Sequence, residues 1–138
     1  MQLFTVGYGN WTLDELAARI TEMDAVLVDI RYSPTSRNPS WRQPALRAKL
    51  GRRYIYLPDF GNVNYKGGPI VIHGFDSGAR KLRALLAEHN VVLMCVCRDY
   101  NRCHRKTVVE MLQAAQVPEA LEAQELPKVQ DMQMKLEL

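Results

Sequence analysis

The sequence predicts a single α/β domain over residues 1–138, a three-layer, mainly parallel sheet with helices on both faces. Three observations predict it. Apolar runs short enough to be buried strands alternate with stretches of helical spacing, which implies right-handed crossovers and parallel pairing. The polar and glycine-rich segments fall directly after those runs, where loops of such a sheet belong. At 138 residues, 47% hydrophobic and 24% charged, the chain suffices for one core and is ordinary for a globular protein.

Residues 3–6 read as the first strand, stopped by Gly7-Tyr8-Gly9-Asn10. Thr12 is an N-cap and Glu15, three residues on, completes a capping box, after which Leu13, Leu16, Ala17 and Ile20 give a helical stripe. Residues 25–30 form a second buried strand, followed by a loop to Pro39 whose prolines and small polar residues forbid regular structure. A helix over 44–50 starts at Pro44, where the missing N–H costs least, and ends at Gly51.

A third strand covers 53–57, then a glycine-punctuated loop runs to about Phe75, with Ile70-Val71-Ile72 as a short strand or buried plug. Asp76 or Ser77 is expected to cap the next helix, which carries Leu82, Leu85 and Leu86. Residues 91–96 are a fourth strand, and the segment from Cys97 to Lys106 leads into a helix that stops before Val117-Pro118. Residues 118–126 suggest a short helix, and Met132, Met134, Leu136 and Leu138 alternate with polar residues as a strand would.

In such a sheet, ligands bind beyond the carboxyl ends of the strands near the topological switch point. Gly7, Tyr8, Asp29, Arg31, Asp59 and the stretch from Cys95 to Arg105 are therefore expected to converge on one edge. This is the Rossmann-like or rhodanese-like layout. Arg31, Arg37, Arg102 and Arg105, with a helix N-terminus, outline an anion site, since guanidinium forks suit phosphate or carboxylate. The alternative is that Arg31 or Arg37 pairs with Asp29 or Asp59 to pin loops. Tyr8, Trp11, Tyr32 and Trp41 are candidates to stack a base.

The net charge of +3 is mild but uneven. From Arg31 to Arg53 no Asp or Glu interrupts seven basic residues, while the C-terminal part leans acidic. That pattern suits an anionic partner, or a solvated basic face. No apolar run approaches the roughly 20 residues of a membrane span, and the start has no signal-peptide pattern. Three clustered cysteines argue against a disulfide framework and fit a reducing cytoplasm.

These residues resemble an uncharacterised bacterial family, domain of unknown function 488. The matching pieces are residues 5–10 with 12–16, Val28-Asp29-Ile30-Arg31 with Pro34, Ser36-Arg37 and Pro39, Tyr56-Leu57-Pro58, and the Cys95 to Arg105 segment ending Cys103-His104-Arg105. The resemblance implies fold and site location, but no established reaction. The family pattern has Cys-x-Glu at the fourth strand's end, where this chain has Cys95-Val96-Cys97. Any role of that carboxylate in relatives therefore does not transfer.

The thiols admit several readings. Cys97 or Cys103 is a candidate nucleophile, its pKa lowered by the helix start and arginines. Residues 97–102 resemble the Cys-Arg-x-x-x-Arg loop of rhodanese-type sulfurtransferases, without its glycine, and the arginine arrives one residue early for a Cys-x5-Arg phosphatase loop. Zinc would suit Cys95, Cys97, Cys103 and His104 by type, but adjacent Cys103 and His104 should diverge, so no metal is expected. Cys95 by itself reads as a small apolar strand residue. His104 suits a general acid or base, or else a cap bonded to a loop carbonyl.

The leading expectation is a domain whose Cys-His-Arg crevice binds a phosphate-bearing ligand, a nucleotide or nucleic acid, and acts on it if it is an enzyme. A cysteine-based, sulfurtransferase-like enzyme and a non-catalytic interaction domain are the alternatives. The expected partner is an anionic small molecule or nucleic acid; a homo-oligomer is allowed for, and no cofactor or membrane partner is expected.

Overall fold

The computed structural model describes residues 1–97 and 99–128. Its sheet has five strands: β1 (Leu3–Gly7), β2 (Ala25–Asp29), β3 (Tyr54–Tyr56), β4 (Asn90–Cys95) and β5 (Gln124–Glu125). They are ordered β3-β2-β4-β1-β5, and every pairing is parallel. The helices are α1 (Leu13–Glu22), α2 (Gln43–Leu50), α3 (Phe75–Leu86), α4 (His104–Ala114) and α5 (Pro118–Leu121). None is long and apolar enough to cross a membrane.

Side chains of a strand alternate between faces, and both faces here are covered. Leu3, Val26, Val28, Val91, Leu93 and Cys95 pack with Leu82 and Leu86 of α3, Val108 and Leu112 of α4 and Ala120 of α5. Phe4, Val6, Leu27, Val92 and Met94 pack with Leu16 and Ile20 of α1 and Leu46 and Leu50 of α2. The three-layer architecture follows. The chain leaves β1 toward the α1 and α2 layer and leaves β4 toward the other. Those two central strands are paired, Gly7 opposite Cys95, so the switch point lies where they end.

Local chemistry sets the element ends. Thr12 and Glu15 form the expected reciprocal capping box. Gly51 ends α2 with φ +56°, a left-handed value that favours glycine. The α3 start differs from expectation. Gly74, not Asp76 or Ser77, is its N-cap and no side chain caps it. Phe75 in the first turn packs on Phe60 with ring centroids 5.8 Å apart, which brings the start forward. Ile72 makes one antiparallel bridge, to Asn62. The short helix expected over 118–126 is α5, but β5 follows it and adds a parallel edge to β1. The expected alternation from Met132 to Leu138 lies outside the described residues, as does Arg98.

Candidate functional site

Because every strand is parallel, all C-terminal ends share one edge, and a crevice of about 510 Å³ opens there. Tyr8 enters it from the end of β1 and Arg31 to Arg37 from the loop after β2. Asn62, Tyr65 and Ile70 come from the long loop after β3. Cys95, Val96 and Cys97 end β4 on it, and Arg102 and His104 close it. Arg31 and His104, 73 positions apart in sequence, face one cavity.

The floor is built on Asp29, which is fully buried. It accepts Arg31 Nε at 2.8 Å and Nη2 at 2.6 Å, and the Tyr54 hydroxyl at 2.6 Å. Burial disfavours the Arg31 cation, but the Asp29 carboxylate outweighs that and holds its pKa above the ordinary value. Burial, then Asp29, likewise pushes the Tyr54 phenol up. Arg31 also lies over the Tyr8 ring, 5.6 Å from its centroid, and Tyr8 stacks on Trp41 at 4.3 Å. Arg31 Nη1 is buried with no hydrogen-bond partner among the described residues. The loop-pinning alternative for Arg31 is thus realised in part, with one nitrogen left over.

The walls are cationic. Arg31, Arg37 and Arg102 line the crevice, and among the described residues no Asp or Glu does. Arg37 is exposed and makes no ion pair among the described residues. Arg102 is exposed and pairs loosely with Asp99 at 3.6 Å. At the mouth, Tyr32 and Tyr65 keep 38% and 50% of their surface exposed, their centroids 6.1 Å apart. Of the expected stacking residues, Tyr8 and Trp41 are consumed by one another, and Trp11 lines a separate, smaller hollow.

The rest of the basic stretch does not gather into one patch. Arg42 binds the Ser36 carbonyl, and Arg47 covers the Tyr54 ring. Lys49 pairs with Asp14, and Arg53 with Asp24. Four of the seven basic residues are therefore spent on their own loops and neighbouring elements.

Beneath the crevice lie the thiols. Cys103 is 2% exposed and serves as N-cap of α4: its Sγ accepts the Arg105 N–H at 3.5 Å and Arg105 Nε–H at 3.4 Å. The thiols of Cys95 and Cys97 also donate toward it, so Cys103 is held far below the usual thiol range despite burial. Burial, reinforced by the Cys103 and Cys97 sulfurs, pushes Cys95 well up. The hydrogen bond to Cys103 pushes the half-buried Cys97 up. His104 Nε2 lies 2.9 Å from the Ile30 carbonyl, and Nδ1 lies 3.9 Å from Cys103 Sγ. A carbonyl only accepts, so Nε2 carries a proton, and in the neutral imidazole the Nδ1 lone pair then faces the sulfur. The expectation that Cys103 and His104 diverge does not hold. Donor atoms of Cys95, Cys103 and His104 all lie within 4.8 Å of one another, because the cap geometry turns Cys103 back over the strand end.

Of the expected site residues, Asp29 and Cys103 lie beneath the crevice, and Arg105, Gly7 and Asp59 do not reach it. Arg105 is fully buried and turned the other way, donating to Thr5, the Cys97 carbonyl and Glu125. Gly7 serves close approach: a Cβ there would lie 1.5 Å from the Cys97 carbonyl oxygen. Asp59 points to Lys81, 3.0 Å away, on the α3 side. Nor do residues 101–103 cradle an anion, since their N–H groups are used locally: Asn101 and Arg102 donate to Asp99, and Cys103 to Tyr100. Asn62, Tyr65 and Ile70 were not expected in the wall. The apolar Ile70-Val71-Ile72 run, expected as a short strand or buried plug, is the one sequence signal in that loop.

The model described as "Domain of unknown function DUF488" matches residues 14–67, and "DUF488-N3a: Active DUF488-N3 subclade" matches residues 76–116. The first span holds Asp29, Arg31 and Arg37, and the second the thiols, Arg102, His104 and Arg105. No curated protein and no solved structure matches the chain.

Proposed function

The chain belongs to the family of domains of unknown function 488, and on that footing we propose that its crevice binds a phosphate-bearing small molecule, a nucleotide by preference. The observation that carries this is the wall itself: among the described residues it holds three guanidinium groups and not one carboxylate. Asp29 neutralises Arg31, so the net attraction comes from Arg37 and Arg102 at the rim. Ser33, Thr35 and Ser36, also on the wall, supply hydroxyl donors and acceptors for phosphate oxygens. A volume of about 510 Å³ is that of a small-molecule site. The half-exposed Tyr32 and Tyr65 rings suit the face of a base. A small ligand is favoured over a polymer because Arg42, Arg47, Lys49 and Arg53 are engaged elsewhere and leave no continuous basic track.

Calorimetric titration tests this with three probes at low and moderate salt: inorganic phosphate, a nucleoside monophosphate and a short single-stranded oligonucleotide. The mononucleotide should bind once per chain, tighter than phosphate, with affinity falling as salt rises. Arg37→Ala should weaken it about tenfold, the loss of one charge-assisted contact. Absence of binding by all three at low salt, or binding indifferent to both Arg37→Ala and Arg102→Ala, would overturn the reading.

A cysteine enzyme of sulfurtransferase type is the second reading, favoured by the position of Cys97 on the crevice surface. Against it stand the raised pKa of Cys97 and the burial of Cys103, the one thiol whose pKa is lowered.

A further inference from the structure

We propose that Cys95, Cys103 and His104 form a site for a borderline-soft divalent metal ion, zinc by preference, with the fourth coordination position open to the crevice. The three residues come from two elements, the last residue of β4 and the start of α4, yet their donor atoms lie within 4.8 Å of one another. Ligand atoms around a tetrahedral zinc, at about 2.0–2.3 Å from the ion, sit roughly 3.3–3.8 Å apart. The 3.9 Å from Cys103 Sγ to His104 Nδ1 is within a few tenths of an ångström of that spacing.

Three further features are those of a prepared site. The neutral His104 imidazole is fixed in the tautomer a ligand needs, because the Ile30 carbonyl accepts Nε2–H and the Nδ1 lone pair is left toward the sulfurs. Cys103 Sγ receives two N–H groups from Arg105, which supports a coordinating thiolate, and Glu125 at 3.2 Å balances the charge of that arginine. Two thiolates and one imidazole also select by softness. With no carboxylate or carbonyl oxygen among the donors, magnesium and calcium are poorly served and zinc well served.

The open position follows from exposure. Cys95 and His104 both border the crevice, whereas Cys103 lies behind them. Three protein ligands with a vacant fourth direction is the arrangement of catalytic rather than structural zinc. Cys97 also borders the crevice and is the competitor for that direction.

The test uses the whole chain, expressed with added zinc and purified without chelator. Elemental analysis should find about one zinc per chain. Replacement by cobalt should give thiolate-to-cobalt charge-transfer absorption and the visible bands of tetrahedral cobalt. Cys103→Ser and His104→Ala should lose the ion and the absorption, and Cys97→Ser should keep both. The cobalt spectrum of the unaltered chain does not depend on any variant folding. Zinc far below one per chain, with no charge-transfer absorption, would overturn the site; loss of the ion in Cys97→Ser would overturn the open position. The cobalt readout needs no anion and the Arg37 titration can be run on metal-free protein, so failure of either proposal is visible without the other.

Discussion

Asp29 and Arg31 form a fork-to-fork pair in the interior, Nε to Oδ1 at 2.8 Å and Nη2 to Oδ2 at 2.6 Å, with both residues almost wholly removed from solvent. The pair makes the last residue of β2 the anchor of the loop that forms one wall of the crevice. Removing one partner of such a pair leaves the other charge buried and uncompensated. Asp29→Asn should therefore cost about 3–5 kcal/mol in urea unfolding, more than any rim arginine. Arg37→Ala, at an exposed position, should stay within about 0.5 kcal/mol of the parent. A cost for Asp29→Asn below about 1 kcal/mol would mean the pair is solvated in solution.

Gly7 poses a sharper steric constraint. The Cys97 carbonyl oxygen would stand 1.5 Å from any Cβ at this position, and backbone cannot swing aside as a side chain can. That carbonyl is itself held by Arg105 Nη2 at 2.9 Å. Gly7→Ala should destabilise by at least about 3 kcal/mol, the upper range of overpacking. It should also loosen the end of β4, seen as faster amide exchange there. Near-neutral stability would show that the loop after β4 shifts freely.

The layers were legible because strands covered on both faces must be apolar runs, and residues 25–30 and 91–96 leave no other reading. The α1 cap was legible because a Thr12–Glu15 pair is local chemistry. The edge on which the site lies followed from topology. What stayed hidden depends on contacts between distant residues. β5 is two polar residues whose pairing to Phe4 and Thr5 leaves no periodic trace. Arg105 sits in a helix start rich in basic residues, and nothing local reveals that Thr5, 100 positions away, draws it inward. The meeting of Cys103 with His104 has no local trace, because Cys103 is a cap residue with extended backbone, φ −103° and ψ 147°, to which helical side-chain directions do not apply.

Asp59 gives the molecule an acid-sensitive joint. Burial resists its charge, but the Ser77 hydroxyl and the Lys81 ammonium outweigh burial and set its pKa below the ordinary carboxylate value. A depressed carboxylate contributes stability that is fully present above the unfolded pKa of about 3.9, and this is lost as pH falls through the lower folded value. With Lys81 58% exposed, the contribution is that of a screened pair, at most about 1 kcal/mol. Asp59→Asn should thus be less stable than the parent at pH 7, and the gap should close as the solution is acidified below about pH 4. A gap that widens on acidification would reverse the sign assigned to this group.

The three thiols should differ in reactivity in the metal-free chain. Cys97 is the accessible one, but its S–H is committed to Cys103, and that bond pushes its pKa up. Since the thiolate is the nucleophile, iodoacetamide at neutral pH should modify Cys97 at least roughly threefold more slowly than a free cysteine. Cys95 and Cys103, 1% and 2% exposed, should react only on unfolding. Cys103→Ser replaces the acceptor by a hydroxyl that carries no charge, so the Cys97 pKa should fall and its alkylation accelerate. Mass spectrometry of the modified peptides checks both rates. If Cys97 instead outpaces a free thiol in the parent and slows in Cys103→Ser, the direction of the hydrogen bond between the two sulfurs is the reverse of that described, and Cys97 is the activated nucleophile of the crevice.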